Sequence, residues 1–429
     1  MNWNPNFGTS DQLPWNSHRY IYNLWLFLFN FSQNPSLSCC WEMAQVSSDE
    51  DEDEESIPND IVLTSLSPTA ETTTPTQLPT LPLDVLPEIL CRLPVKLLGQ
   101  LRCLSKSLNS LISDPKFARK HLQLSTKRHH LMLTCRFDDN SSEWLLCDSP
   151  IPSIFSTSTV FTQTQLYPPN SITTLFSHGQ KFVDLGCSSD GIFCGELNLG
   201  SYFLWNPSIT KYKLLPPLVN SCQGHPYSIS FGYDHFIDNY KVISVSTENE
   251  VSVYTLGTDY WTRIENIPNN YCVHSTGTFV SGTVNWFATD DSSMHFILSL
   301  DLEKGSYQHL LLPNSNNDSS MLSLIRDCLC LSASSDMFMD VWIMKEYGDQ
   351  ESWTKLYVVP DIQDQGLKPF KALYIYEDDQ LLLEFYAMEG GNIKLVVYDS
   401  KTGTLNIPEF QNNYKQTGSN VYIESLISP

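Results

Sequence analysis

FLWNPSITKYKLLP (203–216), VYTLGTDYWTRIENIP (253–268), LSLDLEKGSYQHLLLP (298–313), VWIMKEYGDQESWTKLYVVP (341–360) and VVYDSKTGTLNIP (396–408) are five versions of one unit. Each pairs an apolar strand that ends near an aromatic residue or Asp with a turn, then a second strand that closes on an aliphatic residue and proline. The anchors Trp205, Tyr254, Leu300, Trp342 and Tyr398 are spaced 49, 46, 42 and 56 residues apart. A recurrence near 50 residues is the length of one propeller blade. The 305 residues from 125 to 429 hold about six such blades. The weakest is marked only by EWLLC at 143–147. Short β-branched and aromatic runs, such as KVISVS (241–246), VSVYTL (251–256) and IKLVVYD (393–399), recur between Gly, Pro, Asn and Asp turns. No sustained helical period appears after Leu131. The other arrangement open to such a pattern is a two-sheet sandwich with long loops; the spacing favours the propeller. The segment from Tyr422 to Leu426 reads as a last strand, expected to pair near Leu131–Cys135 and close the ring without leaving an edge.

Upstream, LPLDVLPEILCRLPVKLLGQLRCLSKSLNSLISDPKFARKHL (81–122) changes the period. Leu83, Leu86, Ile89, Leu90 and Leu93 form one amphipathic stripe, with Pro87 tolerated in a first helical turn and Pro94 closing the helix. Leu97, Leu98, Leu101, Leu104 and Leu108 form a second stripe. Asp114-Pro115 reads as an N-cap followed by proline at the first helical position, and the third helix, KFARKHL, is expected to bury Phe117, Ala118 and Leu122. Three short helices make too small a core to stand comfortably alone. More leucine is present than they can hide from one another, so the segment is either packed on the rest of the chain or an interaction site.

The residues resolve that choice, because the segment resembles the F-box of plant proteins. The likeness rests on Leu81-Pro82, on EIL-x-RLPVK from Glu88 to Lys96, on RC-x-SK from Arg102 to Lys106, and on LISDP-x-F from Leu111 to Phe117. The resemblance implies docking on the Skp-type adaptor of an SCF ubiquitin ligase, with cullin and a RING subunit beyond it. It implies adaptor contacts at Leu81, Pro82, Leu86, Ile89, Leu90, Leu93, Pro94, Leu98, Arg102, Leu104 and Leu108. One position departs from the pattern: Leu108 stands where such proteins usually carry Trp, a stronger interface anchor. The region after 125 is similar to the F-box-associated, kelch-like domain of plant proteins. That likeness rests on LWNPSITKYKLLP (204–216), SFGYDHFIDNYKVISV (230–245), SGTVNWFA (281–288), SLDLEKGSYQHLLLP (299–313), DVWIMKEYG with SW (340–353) and YIESLISP (422–429). True kelch blades carry paired glycines, and only Gly390-Gly391 occurs here. The whole is therefore expected to be α+β and multidomain: a leader over 1–80, a three-helix F-box over 81–124, and a six-bladed kelch-like propeller over 125–429. The family implies recognition of a target protein by the β domain.

Charge and composition agree. The 429 residues carry 48 acids and 25 bases, a net of −23. Residues 1–80 hold eleven acids and one base, residues 81–124 seven bases and three acids, which leaves −17 for the remainder. Such a balance argues against nucleic acid and anionic membrane as partners, while a basic F-box suits an acidic adaptor. SSDEDEDEES (47–56) followed by a Thr-, Ser- and Pro-rich stretch reads as a disordered acidic tail; Ser47 and Ser48 also fit an acidophilic kinase. YIYNLWLFLFNF (20–31) is too short for a membrane span and lacks the flanks of a signal peptide. Met43 offers an alternative start that would make residues 1–42 a spurious extension.

Twelve scattered cysteines without a CxxC pair read as reduced thiols, which places the protein in the cytoplasm or nucleus and makes the sequons at Asn30, Asn140 and Asn317 chance matches. No catalytic signature emerges. GCSSDG (186–191) has the wrong spacing for a nucleophile elbow and reads as a hairpin turn. His129-His130, at the junction of helix and strand, are expected to be exposed. Asp138-Asp139, Asp290-Asp291 and Asp378-Asp379 read as turn residues with too few ligands for calcium. No cofactor and no metal are expected. The reading is a non-catalytic receptor; the alternatives are an adaptor-bound scaffold that recruits no ubiquitination, or a propeller enzyme with a copper or hydrolytic centre on its axis.

Overall fold

The computed structural model describes residues 86–125, 128–136, 144–156, 160–161, 163–168, 184–198, 201–218, 226–313, 319–335, 337–360, 366–377, 379–388, 392–410 and 414–429. The chain divides into two compact units, with the boundary between His121 and Leu122. The sequons, the apolar run at 20–31, Ser47, Ser48, Met43, Asp138-Asp139, Asp378 and Gly390-Gly391 lie outside the described residues.

The larger unit is a propeller of six four-stranded antiparallel blades. Blades two to six follow the chain in order: Asp184–Ser189, Ile192–Asn198, Ser201–Asn206 and Lys211–Leu214; Pro226–Asp234, Asn239–Ser246, Val251–Thr255 and Trp261–Arg263; Tyr271–Val280, Thr283–Asp290, His295–Asp301 and Ser306–Leu310; Ser319–Ile325, Cys328–Ser334, Phe338–Met344 and Trp353–Pro360; Leu367–Tyr376, Gln380–Ala387, Ile393–Asp399 and Thr404–Asn406. Each of the five anchors read from the sequence falls on the third strand of its blade. Blade one is composite: its second, third and fourth strands are His129–Arg136, Trp144–Pro150 and Thr164–Leu166, and its first strand is Lys415–Ile423 from the far end of the chain.

The core is divided into wedges between neighbouring blades. Middle strands are covered on both sides, as in VNWFA (284–288) and LLLEF (381–385), so they read as mostly apolar runs in which Asn285 and Glu384 are buried too. Outer strands, such as Lys211–Leu214, are half exposed. The repeated closing motif has a physical cause as well. Trp261 Nε1–H donates to Pro216 O at 2.8 Å, Tyr307 Oη to Glu265 O at 2.6 Å, Trp353 Nε1–H to Leu311 O at 3.2 Å and Tyr398 Oη to Val358 O at 3.3 Å. In each case an aromatic donor of one blade, on the fourth strand for Trp261, Tyr307 and Trp353 and on the third for Tyr398, fastens the closing segment of the preceding blade.

Hairpin turns behave as their residues dictate. Asp190-Gly191, Ser281-Gly282 and Arg326-Asp327 each place both residues at positive φ between directly paired strands, the type I′ geometry that suits twisted strands. GCSSDG is thus a hairpin, as its composition suggested. Asp290 turns its carboxylate onto the backbone N–H groups of Ser292 and Met294, both at 2.9 Å.

The C-terminal strand closes the ring against the expected partner, but in an earlier register: Leu131 lies opposite Val421 and Cys135 opposite Gln416, while Tyr422 and Ile423 face His130 and His129. The strand, however, ends at Ile423 and not at Leu426. Beyond it, Ser425, Leu426 and Ile427 are buried against blade two. There the Asn206 amide Nδ2 donates to Ser425 O (3.1 Å), Ser425 Oγ (3.0 Å) and Ile427 O (2.8 Å). A short parallel pairing of Glu409–Phe410 with Val160–Phe161 adds a second fastening.

The two histidines at the start of blade one are not exposed, contrary to expectation. His129 packs against the Tyr374 ring, centroids 5.1 Å apart, and burial pushes its pKa down. His130 has only 14% of its side chain exposed and lies 2.9 Å from Asp148 Oδ2. Glu424 Oε2 is 3.9 Å from its other nitrogen, and Tyr422 Oη donates to Asp148 at 2.9 Å. They are covered because the C-terminal strand pairs directly beside them, a partner hundreds of positions away in sequence. Burial opposes charge on His130, but the hydrogen bond from the ring to Asp148 and the charges of Asp148 and Glu424 outweigh it, and the pKa is raised. A raised folded-state value means that His130 stabilises the closure fully below its ordinary value of 6.5, and that this stabilisation is lost as pH rises through the folded-state value. His129, with its lowered value, opposes that trend. Denaturation of wild type and His130→Gln between about pH 5.5 and 8.5 should show a stability gap that narrows toward high pH. A gap independent of pH would exclude a charged His130 in the clasp.

Candidate functional site

Among the described residues the smaller unit holds helices α1 (Leu86–Leu90), α2 (Val95–Arg102), α3 (Lys106–Ile112) and α4 (Pro115–Gln123). Pro87 sits in the first turn of α1, where its missing N–H is harmless. Pro94 precedes α2, and its carbonyl accepts from Leu97 N and Leu98 N, each at 3.1 Å. The second apolar stripe is split: α2 ends at Arg102, and Ser105 opens α3 with its hydroxyl accepting from Leu108 N at 3.2 Å. The Ser105 hydroxyl satisfies a helix N-terminus that an uninterrupted helix would not have. Asp114 caps α4 as the sequence indicated, accepting from Lys116 N at 2.7 Å and Phe117 N at 3.3 Å.

The helices are tied by few but specific contacts. His121 is fully buried, with Nε2 2.9 Å from Leu93 O. It takes the place expected for Leu122, which is only half-buried. Arg102 Nε–H donates to Asn109 Oδ1 at 2.9 Å, joining α2 and α3. Lys120 pairs with Glu88 between α4 and α1; both are well exposed, so the pair contributes little.

The expected contact residues separate into three groups. Leu81 and Pro82 lie outside the described residues. Leu90 and Leu98 are 1% and 0% exposed and belong, with Val95, Leu101, Ile112 and Phe117, to the unit's own core. An amphipathic stripe does not distinguish leucines that hold the helices together from those left for a partner. The remaining positions are at least partly accessible: Leu86, Ile89, Leu93, Arg102 and Leu108 are half-buried, and Pro94 and Leu104 are exposed. Arg92, Lys96, Lys106 and Lys116 are exposed as well. A shallow open depression is lined by Lys106, Ser107, Ser110, Leu111 and Asp114. The accessible set is therefore apolar side chains bordered by cations.

Residues 78–120, which include α1 to α3 and the first six residues of α4, match the family model of the F-box domain. Residues 162–429 match the model of the F-box-associated beta propeller domain. The chain belongs to the F-box-associated β-propeller family. Among its curated relatives is the F-box/kelch-repeat protein At3g23880 of Arabidopsis thaliana, 28% identical over 376 residues, covering 81% of this chain and 96% of that protein. The F-box protein CPR1 of the same plant is 27% identical, covering 81% and 89%. F-box protein At3g07870 is 24% identical, covering 76% and 86%. The family match starts at residue 162, inside blade one, yet the strands His129–Arg136 and Trp144–Pro150 before it complete that blade.

Elsewhere, no described cluster of three His, Cys, Asp or Glu side chains could hold a metal ion, and no described helix is long and apolar enough to cross a membrane. The residues that matter most to the fold but escaped sequence reading are Ser105, His121, His130 and Asn206. Only Ser105 left a local signal, a serine three residues before Leu108.

Proposed function

We propose that the chain is a substrate receptor of an SCF-type ubiquitin ligase. The helical unit docks on a Skp-type adaptor, which links it to cullin and a RING subunit, and the propeller binds a target protein. The observation that carries this reading is the union in one chain of an F-box match, folded as helices with accessible apolar residues and exposed cations, and a six-bladed F-box-associated propeller. F-box proteins are generally non-catalytic. The chain's contribution to rate is proximity: it holds the target beside a ubiquitin-loaded enzyme. Such work belongs in the cytoplasm or nucleus. The exposed Pro94 and Leu104 and the half-buried Leu93 and Leu108 supply the adaptor-facing contacts, while the buried Leu90 and Leu98 belong to the core.

The test is binding of purified Skp-type adaptor to the full chain, with adaptor affinity measured for wild type, for a Leu93→Asp/Pro94→Ala double variant and for Leu104→Asp. Wild type should bind, and both variants should bind about 100-fold more weakly while melting like wild type. Leu104→Asp alters an exposed position, so its effect does not depend on the helical core. Failure of wild type to bind would overturn the receptor reading.

A further inference from the structure

In blades two to six the first two strands are joined by a hairpin, and in four of these the turn is polar. Asp190-Gly191, Ser281-Gly282, Arg326-Asp327 and the turn bearing Glu377 and Asp379 present charge, hydroxyl or glycine. Blade three differs. Its turn between Asp234 and Asn239 is His235-Phe236-Ile237-Asp238, with Phe236 58% and Ile237 49% exposed. Antiparallel geometry puts the turn between the third and fourth strands on the same face. In blade three that turn carries Tyr260, 65% exposed. The Asn239 amide donates to Leu256 O at 2.8 Å and ties the two turns together.

The apolar tip is held rigidly. Asp234, 1% exposed, accepts from Phe236 N at 2.9 Å and pairs with Lys241 Nζ at 2.7 Å. Tyr233 donates its hydroxyl to Asp238, whose φ of 53° closes the turn. The Phe236 ring lies across Gly282 of blade four, so closely that a Cβ there would come within 2.7 Å of it. A large aromatic side chain fixed in place yet left open to solvent has lost its conformational freedom in advance, which favours its use as a binding anchor.

We propose that this face of blade three, centred on Phe236, Ile237 and Tyr260, is the target-docking surface, and that it takes a basic segment of the target carrying an apolar or aromatic anchor side chain. This deepens the receptor reading and rests on it. Charge selects the occupant. Asp238 and Asp259 flank the apolar residues, and residues 125–429 carry a net −17. The chain's own leader, at −10 over residues 1–80, and a second copy, at −23, are repelled by the same field. A basic partner is attracted by it, and its encounter is accelerated.

The test uses the full chain, fluorescently labelled, on an array of short peptides with a central Leu, Phe or Trp flanked by either Lys/Arg or Asp/Glu. Wild type should bind basic-flanked peptides and not their acidic counterparts, and binding should weaken from about 50 to about 300 mM salt. Phe236→Ser/Ile237→Ser and, separately, Tyr260→Ser should reduce it about tenfold or more. Both variants should melt with wild type and bind adaptor equally well, so a failure here is distinct from failure of the receptor reading. Equal binding by the variants, a preference for acidic peptides, no binding to basic ones, or a concentration-dependent dimer lost in the variants would each overturn the proposal.

Discussion

A chain ending at Thr417 will fail to form a cooperatively folded propeller. The truncation removes six of the eight residue pairs between the last strand and His129–Arg136, from Thr134 opposite Gly418 to His129 opposite Ile423. It strips the buried side chains of Tyr422, Leu426 and Ile427, 6–8% exposed in the intact protein. At ~1.5–3 kcal/mol for each large apolar side chain, that burial alone is worth roughly 5–9 kcal/mol. The net stability of a folded domain is of the same order, about 5–15 kcal/mol. Losing Ser419 also takes a hydrogen-bond donor from Glu384, whose carboxyl, in blade six, is already pushed above its usual range by burial. What is left exposes the edge of His129–Arg136 as a template for pairing with other chains. Size-exclusion chromatography and thermal melts should show aggregation and no cooperative transition. A soluble, sharply melting truncation would mean that the ring does not depend on this strand.

That the strand closes the ring was legible in the sequence, because a lone β-prone segment at the end of a repeat array has only one open edge to meet. The third strands were legible for a similar reason: Trp205, Tyr254, Leu300, Trp342 and Tyr398 occupy equivalent places, and repetition makes a weak local pattern visible. The joints between blades were not. Trp261, Tyr307, Trp353 and Tyr398 donate to carbonyls 40 to 45 positions earlier, and a backbone acceptor leaves no mark on residue identity. In the helical unit, the stripe of leucines was read correctly as apolar, yet periodicity alone did not separate Leu90 and Leu98 from Leu93 and Leu104. That division depends on how the helices pack. The tip at Phe236-Ile237 was present in the sequence but gained meaning only when four sister turns were seen to be polar.

Asn206 carries this argument to a single atom. It lies in an otherwise apolar strand, fully buried, and its side chain reaches residues some 220 positions away. Its Nδ2 serves Ser425 O, Ser425 Oγ and Ile427 O, while its Oδ1 accepts from Ser208 N at 2.9 Å. Asn206→Ala leaves those groups without their partner and should destabilise the protein by about 1–3 kcal/mol. Asn206→Asp keeps the shape but turns an acceptor toward two carbonyl oxygens. As a carboxylate it is a buried, unpaired charge, and the loss should reach about 3–5 kcal/mol near neutral pH. The pH dependence separates the two causes. Burial among carbonyl oxygens raises the folded-state pKa of the introduced carboxyl, so protonation favours the folded form and restores a donor. The Asp variant should therefore recover relative to Ala as pH falls toward about 5, a gain absent if size alone mattered. Denaturant unfolding of the two variants and wild type at matched pH measures that difference. Equal losses for Ala and Asp at every pH would show that Asn206 fills space and does not hold the C-terminal tail.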